Sequence, residues 1–382
     1  MAGFSIAFTG DIAFSRYFQE AASLAELIDE PIRRFLSEAD HGVGNIEGPV
    51  DGGLHSAGGE FVHATDIRYA EELKELGIDI WNLANNHALD NGKAGLEETL
   101  KAAGQLQCLT VGAGSSKEAA ESFLSFSQAG GIGLFSLSYG ELDMKQKEGC
   151  YYADWDRRVD IQRTIRTIKN DHRWCVAVVH GGDEFADMPM PYTRRRYMEF
   201  LQWGADIVVG HHPHVVQPYE PLGNKIIFYS LGNFIFDTDY QRVQPHTEIG
   251  ELLKIHFREE GFDWTHQPIR IDRERRSIVS GEMPPVFSSI TEEAYARLWP
   301  LAAREMLLRH RQRDLYLHPD RYGKYNTALW QLRELYGCRK KEIRCRVSGK
   351  IKAALVRSKA ENPGLVRYLC TGKRSQSERS KA

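Results

Sequence analysis

The stretch GADIVVGHHPHVVQP, Gly204–Pro218, decides the fold of this 382-residue chain. Its strand-like run Asp206–Val209 stops at a glycine and then delivers His211, His212 and His214. A short run of that kind suits a parallel strand buried on both faces. Polar residues just past such a strand fall on the sheet edge where open α/β sheets collect ligands. In an extended HPH, side chains two apart share a face. His212 and His214 are therefore expected to aim at one site and His211 away from it, with Pro213 holding the segment extended.

Working outward, the same arrangement of apolar run, glycine or asparagine, and then carboxylate or imidazole recurs. It is found in FTGDIAF around Asp11, GNIEGPV around Glu47, NLANNHALDNG around Asn86 and His87, and VVHGGDEF around His180. Asp, Glu, Asn and His gathered on one edge form an oxygen and nitrogen donor set that suits Mn, Fe or Zn better than Mg or Ca. Glu47, between Gly44 and Gly48, is the carboxylate able to bridge two cations, because an anion with two oxygens offsets both charges; a solvated loop glutamate is the plain alternative. Asn86 offers a neutral ligand oxygen, and the adjacent His87 is a candidate general acid near neutral pH. Asp90 either orients that imidazole or serves the turn into Gly92, and the turn is the reading favoured here. Asn45, Asp90, Glu184, Ser230 and Asn233, in or beside these motifs, are expected around the ligands or facing substrate. One or two divalent cations per chain are predicted.

Similar runs at Phe4–Thr9, Ile78–Ala84, Gly131–Leu137, Trp174–Val179 and Lys225–Leu231 predict further strands. Ile161, Ile165 and Ile168 recur at helical spacing and predict a helix packed through its isoleucines. Residues 251–257 and 266–271 read as two more strands with a turn at 259–261, and a helix is expected over 291–313, interrupted or kinked at Pro300. Further helical pattern follows near 327–336 and 342–359. These boundaries divide the chain into a body (1–285), a basic helical region (286–360) and a disordered tail (361–382).

Six scattered cysteines without a CxxC pair argue against a disulfide framework or a structural zinc, and for a reducing compartment. No window is long and apolar enough for a membrane-spanning helix, and the N-terminus enters a strand directly, so a cytoplasmic protein is expected. The formal charge of −3 hides an asymmetry, because residues 301–382 hold 21 Lys+Arg against 7 Asp+Glu. That basic region could meet an anionic membrane surface or an acidic partner. Nucleic acid ranks lower, since no aromatic stacking platform is interleaved with the charges.

The ordered set GDI, GNIEGP, LANNHALDNG, VVHGG, GADIVVGHHPHVVQP and YSLGNFIFD resembles the CapA family, capsule-synthesis and poly-γ-glutamate-associated proteins within the calcineurin-like metallophosphoesterase superfamily. The resemblance covers residues 4–240 and implies a four-layer αββα sandwich with a dinuclear metal centre over the strand ends. It implies Asp11, Glu47, Asn86, His180, His212 and His214 as metal ligands and His87 as the catalytic histidine. Three positions depart from the pattern. Ala13 stands where the superfamily has a ligand histidine, so a weaker or mononuclear site is expected. Ala88 stands where a carboxylate usually orients the catalytic histidine. Gly181 replaces a common tryptophan, which should open the site and remove an aromatic wall. The activity implied is hydrolysis of an anionic phosphoester or polymer-related substrate; a non-hydrolytic scaffold role and a nuclease are the alternatives. Substrate choice is expected from loops 51–65 and 183–195; Arg194–Arg196 could meet an anionic substrate or form a solvated helix face, and the solvated face is the reading favoured here.

Overall fold

The computed structural model describes residues 3–15, 17–50, 63–139 and 149–322. Two sheets stack face to face. The larger, eight-stranded, runs in the order Ser277–Ser280, Phe262–Asp272, Ile249–Phe257, Phe4–Ala13, His41–Ile46, Ile80–Asn82, Leu109–Val111, and Asn233–Phe236 pairs with the far end of Phe4–Ala13. The smaller, six-stranded, runs Tyr219–Leu222, Lys225–Phe228, Ile207–His211, Trp174–His180, Ile132–Ser138, Phe123–Phe126. Phe4–Ala13 through Leu109–Val111 in the large sheet, and Lys225–Phe228 through Ile132–Ser138 in the small one, run parallel, while Ile249–Phe257 pairs antiparallel with Phe4–Ala13. Every strand predicted from an apolar run is present, although Ile80–Asn82 and Lys225–Phe228 are shorter than their runs.

Side-chain alternation explains the stacking. Along Trp174–His180, Trp174, Val176 and Val178 join the cluster between the sheets, while Cys175, Ala177 and Val179 face the helices outside. Phe4–Ala13 does the same, with Ile6 and Phe8 inward and Ala7 and Ile12 outward. Residues two apart share a face of a strand, so a run apolar at every position must be covered on both sides. Helices Glu30–Ser37, Ile67–Glu75 and Gly92–Gln105 cover the large sheet through Ile32, Leu36, Leu73 and Leu96. Helices Arg158–Asp171 and Pro191–Trp203 cover the small one through Ile161, Ile165, Ile168, Tyr197 and Phe200. Burying each such side chain contributes roughly 1.5–3 kcal/mol. The order helix, sheet, sheet, helix is the four-layer αββα sandwich.

The long helix Glu292–Leu317 continues through Pro300 and is not interrupted there. Tyr295, Trp299, Ala303, Met306 and Leu307 bury it in the same cluster as the isoleucines of Arg158–Asp171, which offsets the hydrogen bond that proline removes. The helical stretches expected near 327–336 and 342–359, and the tail, lie outside the described residues. Among the described residues no helix is long and apolar enough to cross a membrane.

Candidate metal centre

Strand register gathers the polar residues before any loop is considered. In the large sheet Asp11, Asn45 and Asn82 stand in one row across three parallel strands. In the small sheet Ser138, His180 and His211 form the corresponding row. Asn82 donates from Nδ2 to Asn45 Oδ1 at 2.8 Å, and Asn45 donates from Nδ2 to Asp11 Oδ1 at 2.7 Å. Asn45 Nδ2 also lies 3.1 Å from His180 Nδ1, which ties one sheet's row to the other's. Gly10 permits the approach of the turn that closes the first strand: a Cβ there would sit 2.4 Å from the Gly232 carbonyl oxygen. The Asp11 amide then donates to that oxygen at 2.9 Å.

His180, His212 and His214 converge on this row, but by another route than expected. The segment is bent, and both His212 (φ +96°) and His214 (φ +57°) lie in the left-handed region. An extended HPH is therefore not what aims the rings. The left-handed backbone is uncommon for a side-chain-bearing residue and is held where the surroundings dictate it. Here the His212 amide donates to Asp11 Oδ2 at 3.2 Å, and Asn233 accepts from and donates to His214. His212 Nδ1 lies 3.1 Å from His180 Nε2, which is 2.8 Å from Asn86 Oδ1. His214 Nδ1 lies 3.2 Å from Asp11 Oδ2. His211 points away, with Nε2 on the Thr9 carbonyl at 2.9 Å.

Electrostatics mark the cluster as one that needs positive charge. Burial, followed by the Asp11 carboxylate, pushes Glu47 well above the usual carboxylate range. Burial and then His212 press His180 well below the usual imidazole value, so it is a neutral lone-pair donor. Burial would raise Asp11, but the hydrogen bond and charge of His214 outweigh it and leave it lowered. Burial would lower His214, but Asp11 outweighs it in turn and leaves it raised. Glu47 is fully buried, and its Oε2 has no hydrogen-bond partner among the described residues. An unsatisfied buried polar group costs about 1–3 kcal/mol, and more when charged. Donor atoms of Asp11, Glu47 and His180 lie within 4.8 Å of one another. The His180–Asn86 and His180–His212 pairs, 2.8 and 3.1 Å apart, have the spacing of neighbouring ligands on one cation, about 3 Å for bonds near 2.1 Å at right angles. The residues fit a divalent cation.

The residues around the ligands divide more sharply. Asp90 orients His87: its Oδ2 lies 2.8 Å from His87 Nδ1, so the turn reading favoured from sequence gives way. The carboxylate missing at Ala88 is thus supplied three residues after His87. Ser230 does not reach the ligands; its Oγ accepts from the Gly232 amide at 3.2 Å and shapes the turn beneath Asp11. Glu184 carries an ion pair with Arg313 of the long helix, and its carbonyl accepts from His310 Nε2 at 2.8 Å. Gly181 does not open the site. A Cβ there would meet Trp155 Cζ3 at 2.8 Å and Tyr139 Cβ at 2.9 Å, so those two rings occupy the space a tryptophan would fill. Arg194 and Arg196 are buried in ion pairs with Glu220 and Asp156, so only Arg195 belongs to a solvated face.

Sequence reasoning missed Asn82, His63 and Arg313. Asn82 ends a predicted strand in register with Asn45, a signal that could have found it. His63 sits in FVHATD with no strand end or glycine beside it, and Arg313 lies far along the chain in a helix read only for its charge.

Residues 5–238 match the family model described as "Bacterial capsule synthesis protein PGA_cap". The "PGA biosynthesis protein CapA" of Bacillus subtilis (strain 168) is 30% identical over 267 residues, 67% of this chain and 68% of that protein. The "Capsule biosynthesis protein CapA" of Bacillus anthracis is 29% identical over 265 residues, 66% of this chain and 63% of that protein. A solved 5'-nucleotidase from Candida albicans SC5314 superposes with a TM-score of 0.42 at 10% identity, covering 83% of this chain and 59% of that one, a likeness too distant to add to the fold seen directly. Every proposed ligand lies inside the matched span, and the chain belongs to the bacterial capsule synthesis family of CapA proteins.

Proposed function

We propose that this protein is a metal-dependent phosphoester hydrolase acting in the synthesis of a capsule or poly-γ-glutamate-type polymer. One observation carries the reading: a fully buried Glu47, its outer oxygen unpartnered among the described residues, set between Asp11, His180 and His87. A divalent cation in such a cluster supplies Lewis-acid polarisation of a phosphoryl oxygen and a nucleophilic water near neutral pH. Asp11, Glu47, Asn86, His180, His212 and His214 would hold it, and Asn45 and Asn233 fix the first and last of these by direct hydrogen bonds. His87 has Nδ1 engaged by Asp90 and turns Nε2 toward Glu47 Oε2, 3.9 Å away. From there the ring can pass a proton to the departing oxygen, a contribution of about 10²–10⁴-fold. An anionic substrate is expected, since the centre attracts phosphoryl oxygens.

The test is chelator-sensitive hydrolysis of an aryl phosphate monoester and diester by protein purified without a metal-binding tag, beside a His212→Ala/His214→Ala variant. Turnover that falls with the chelator and in the variant is expected. Bound metal with no turnover on a broad phosphoester panel would instead favour a non-hydrolytic scaffold in polymer assembly, a role also compatible with the relatives' names, which state a pathway.

A further inference from the structure

The two oxygens of Glu47 face different neighbours. Oε1 accepts from Asn45 Nδ2 at 3.3 Å and lies 3.9 Å from His180 Nδ1, on the inner side. Oε2 lies 3.9 Å from His87 Nε2, on the outer side, and hydrogen-bonds to nothing among the described residues. His63 stands on that outer side. It is 6% exposed, and its Nε2 likewise has no partner among the described residues. Its ring meets the His87 ring edge to face at 4.3 Å. Donor atoms of Glu47, His63 and His87 all lie within 4.8 Å of one another. Two buried polar atoms from separate segments, neither hydrogen-bonded among the described residues and both beside a third donor, call for a shared partner.

The local structure builds this arrangement and does not merely permit it. Asp90 Oδ2 engages His87 Nδ1 and also accepts from the His63 amide at 3.3 Å, so one carboxylate places both residues. A carboxylate on Nδ1 leaves Nε2 as the lone-pair donor, the usual support of a metal-ligating histidine. Gly48, at φ +99°, lets the His63 backbone close on the Glu47 loop, for a Cβ there would sit 2.4 Å from the His63 carbonyl oxygen. The Thr65 amide then donates to the Pro49 carbonyl at 2.8 Å and fastens the two segments.

We propose that Glu47 Oε2, His63 and His87 form a second, outer cation seat, bridged by Glu47 to the inner one. His63 thereby supplies from a loop the imidazole that the first strand, with Ala13, does not. One carboxylate oxygen and two imidazole nitrogens suit Zn, Mn, Fe or Co. The proposal rests on reading the inner cluster as a metal centre. It also limits the proton-donor role of His87 to the protein with one cation, because a nitrogen engaged by a cation carries no proton.

The experiment is equilibrium dialysis of the chelator-stripped full chain against Mn²⁺ with metal analysis, and electron paramagnetic resonance on the same samples. Two Mn²⁺ per chain are expected, with an exchange-coupled spectrum. His63→Ala should hold one, with the spectrum of isolated Mn²⁺, and His180→Ala should lose the inner cation. His63→Gln and His87→Ala carry the same prediction as His63→Ala should that variant fail to fold. One Mn²⁺ in the wild type, lost in His180→Ala and untouched in His63→Ala, would overturn the outer seat and leave the metal centre standing. Two Mn²⁺ retained in all three outer variants would overturn it as well. No Mn²⁺ in the wild type would overturn both readings.

Discussion

The inner and outer sides of Glu47 are built from similar side chains in different ways. On the inner side Asp11, Asn45 and His180 leave strand ends in register, and each touches another polar group of the cluster at 2.7–3.2 Å. On the outer side His63 and His87 come from loops and are held through one shared carboxylate, Asp90, while His87 Nε2 faces Glu47 and a His63 ring nitrogen lies within 4.8 Å of both. Sheet register makes the inner cluster rigid and largely self-satisfied without a ligand. The outer group is preorganised only at its periphery and is left unsatisfied at its centre. A ligand should therefore matter in different ways to the two: added stability on the inner side, and chemistry on the outer.

The largest effect tests the inner side. A ligand that binds only the folded state stabilises it by about 3–4 kcal/mol at 100–1,000 times its dissociation constant. Thermal unfolding of the wild type should move up by that amount on adding Mn²⁺. His180→Ala should abolish the gain, because it removes the residue that joins Asn45, Asn86 and His212. His63→Ala should keep most of it. Equal loss in both variants would break the distinction between the sides.

Next comes His87. With one cation bound, His87→Ala should retain the inner metal and lose about 10²–10⁴-fold in turnover. Asp90→Asn should fall between that variant and the wild type, since it keeps the position and weakens the hold on Nδ1. Full turnover in His87→Ala would remove the ring from the reaction.

What the sequence disclosed follows the same division. The placement of the proposed inner ligands was legible because each sits at the end of an apolar run, and a strand end in an α/β sheet already fixes where a side chain goes. The HPH geometry was misjudged because neighbours, and not Pro213, impose the left-handed turns at His212 and His214. His63 was not legible, since its placement depends on a contact with Gly48 and a hydrogen bond to Asp90, 27 residues away. The reading of Gly181 failed for a related reason: the rings that fill its space, Tyr139 and Trp155, come from outside its own motif. Local pattern discloses strands and their ends; long-range contact decides what stands beside them.

A smaller effect concerns the long helix that roofs the loop after His180. Burial would raise Glu184, but Arg313, with His212 and His214 adding to it, holds the carboxyl at about 2 against an ordinary 4.5. A lowered folded-state value means stability present above the ordinary value and lost as pH falls toward 2. The pair is about one-fifth exposed on each side, and the difference corresponds to roughly 3 kcal/mol. Arg313→Met should therefore unfold at higher pH than the wild type on acidification, followed by circular dichroism between pH 5 and 2. Coincident acid transitions would show that the ion pair contributes nothing and that the helix roofs the loop through its other contacts, Arg309 on Asp187 and His310 on the Glu184 carbonyl among them.

The smallest effect is a proton, and it returns to the residue both sides share. Burial, and then the nearby Asp11 charge, hold Glu47 well above the usual carboxylate range, so its carboxyl keeps a proton to higher pH than a free glutamate. A cation must displace that proton, and metal binding then releases it. Loading should release up to one proton per chain from Glu47 at low pH and progressively less as Glu47 ionises, so cation affinity rises with pH until the carboxyl has titrated. Calorimetry in two buffers of unequal ionisation enthalpy counts the proton directly. Glu47→Gln should lose Glu47's share of the released protons, leaving what His214 gives up, and bind more weakly on both sides, because the bridging charge is gone. If its inner affinity matched the wild type, Glu47 would belong to the outer side alone.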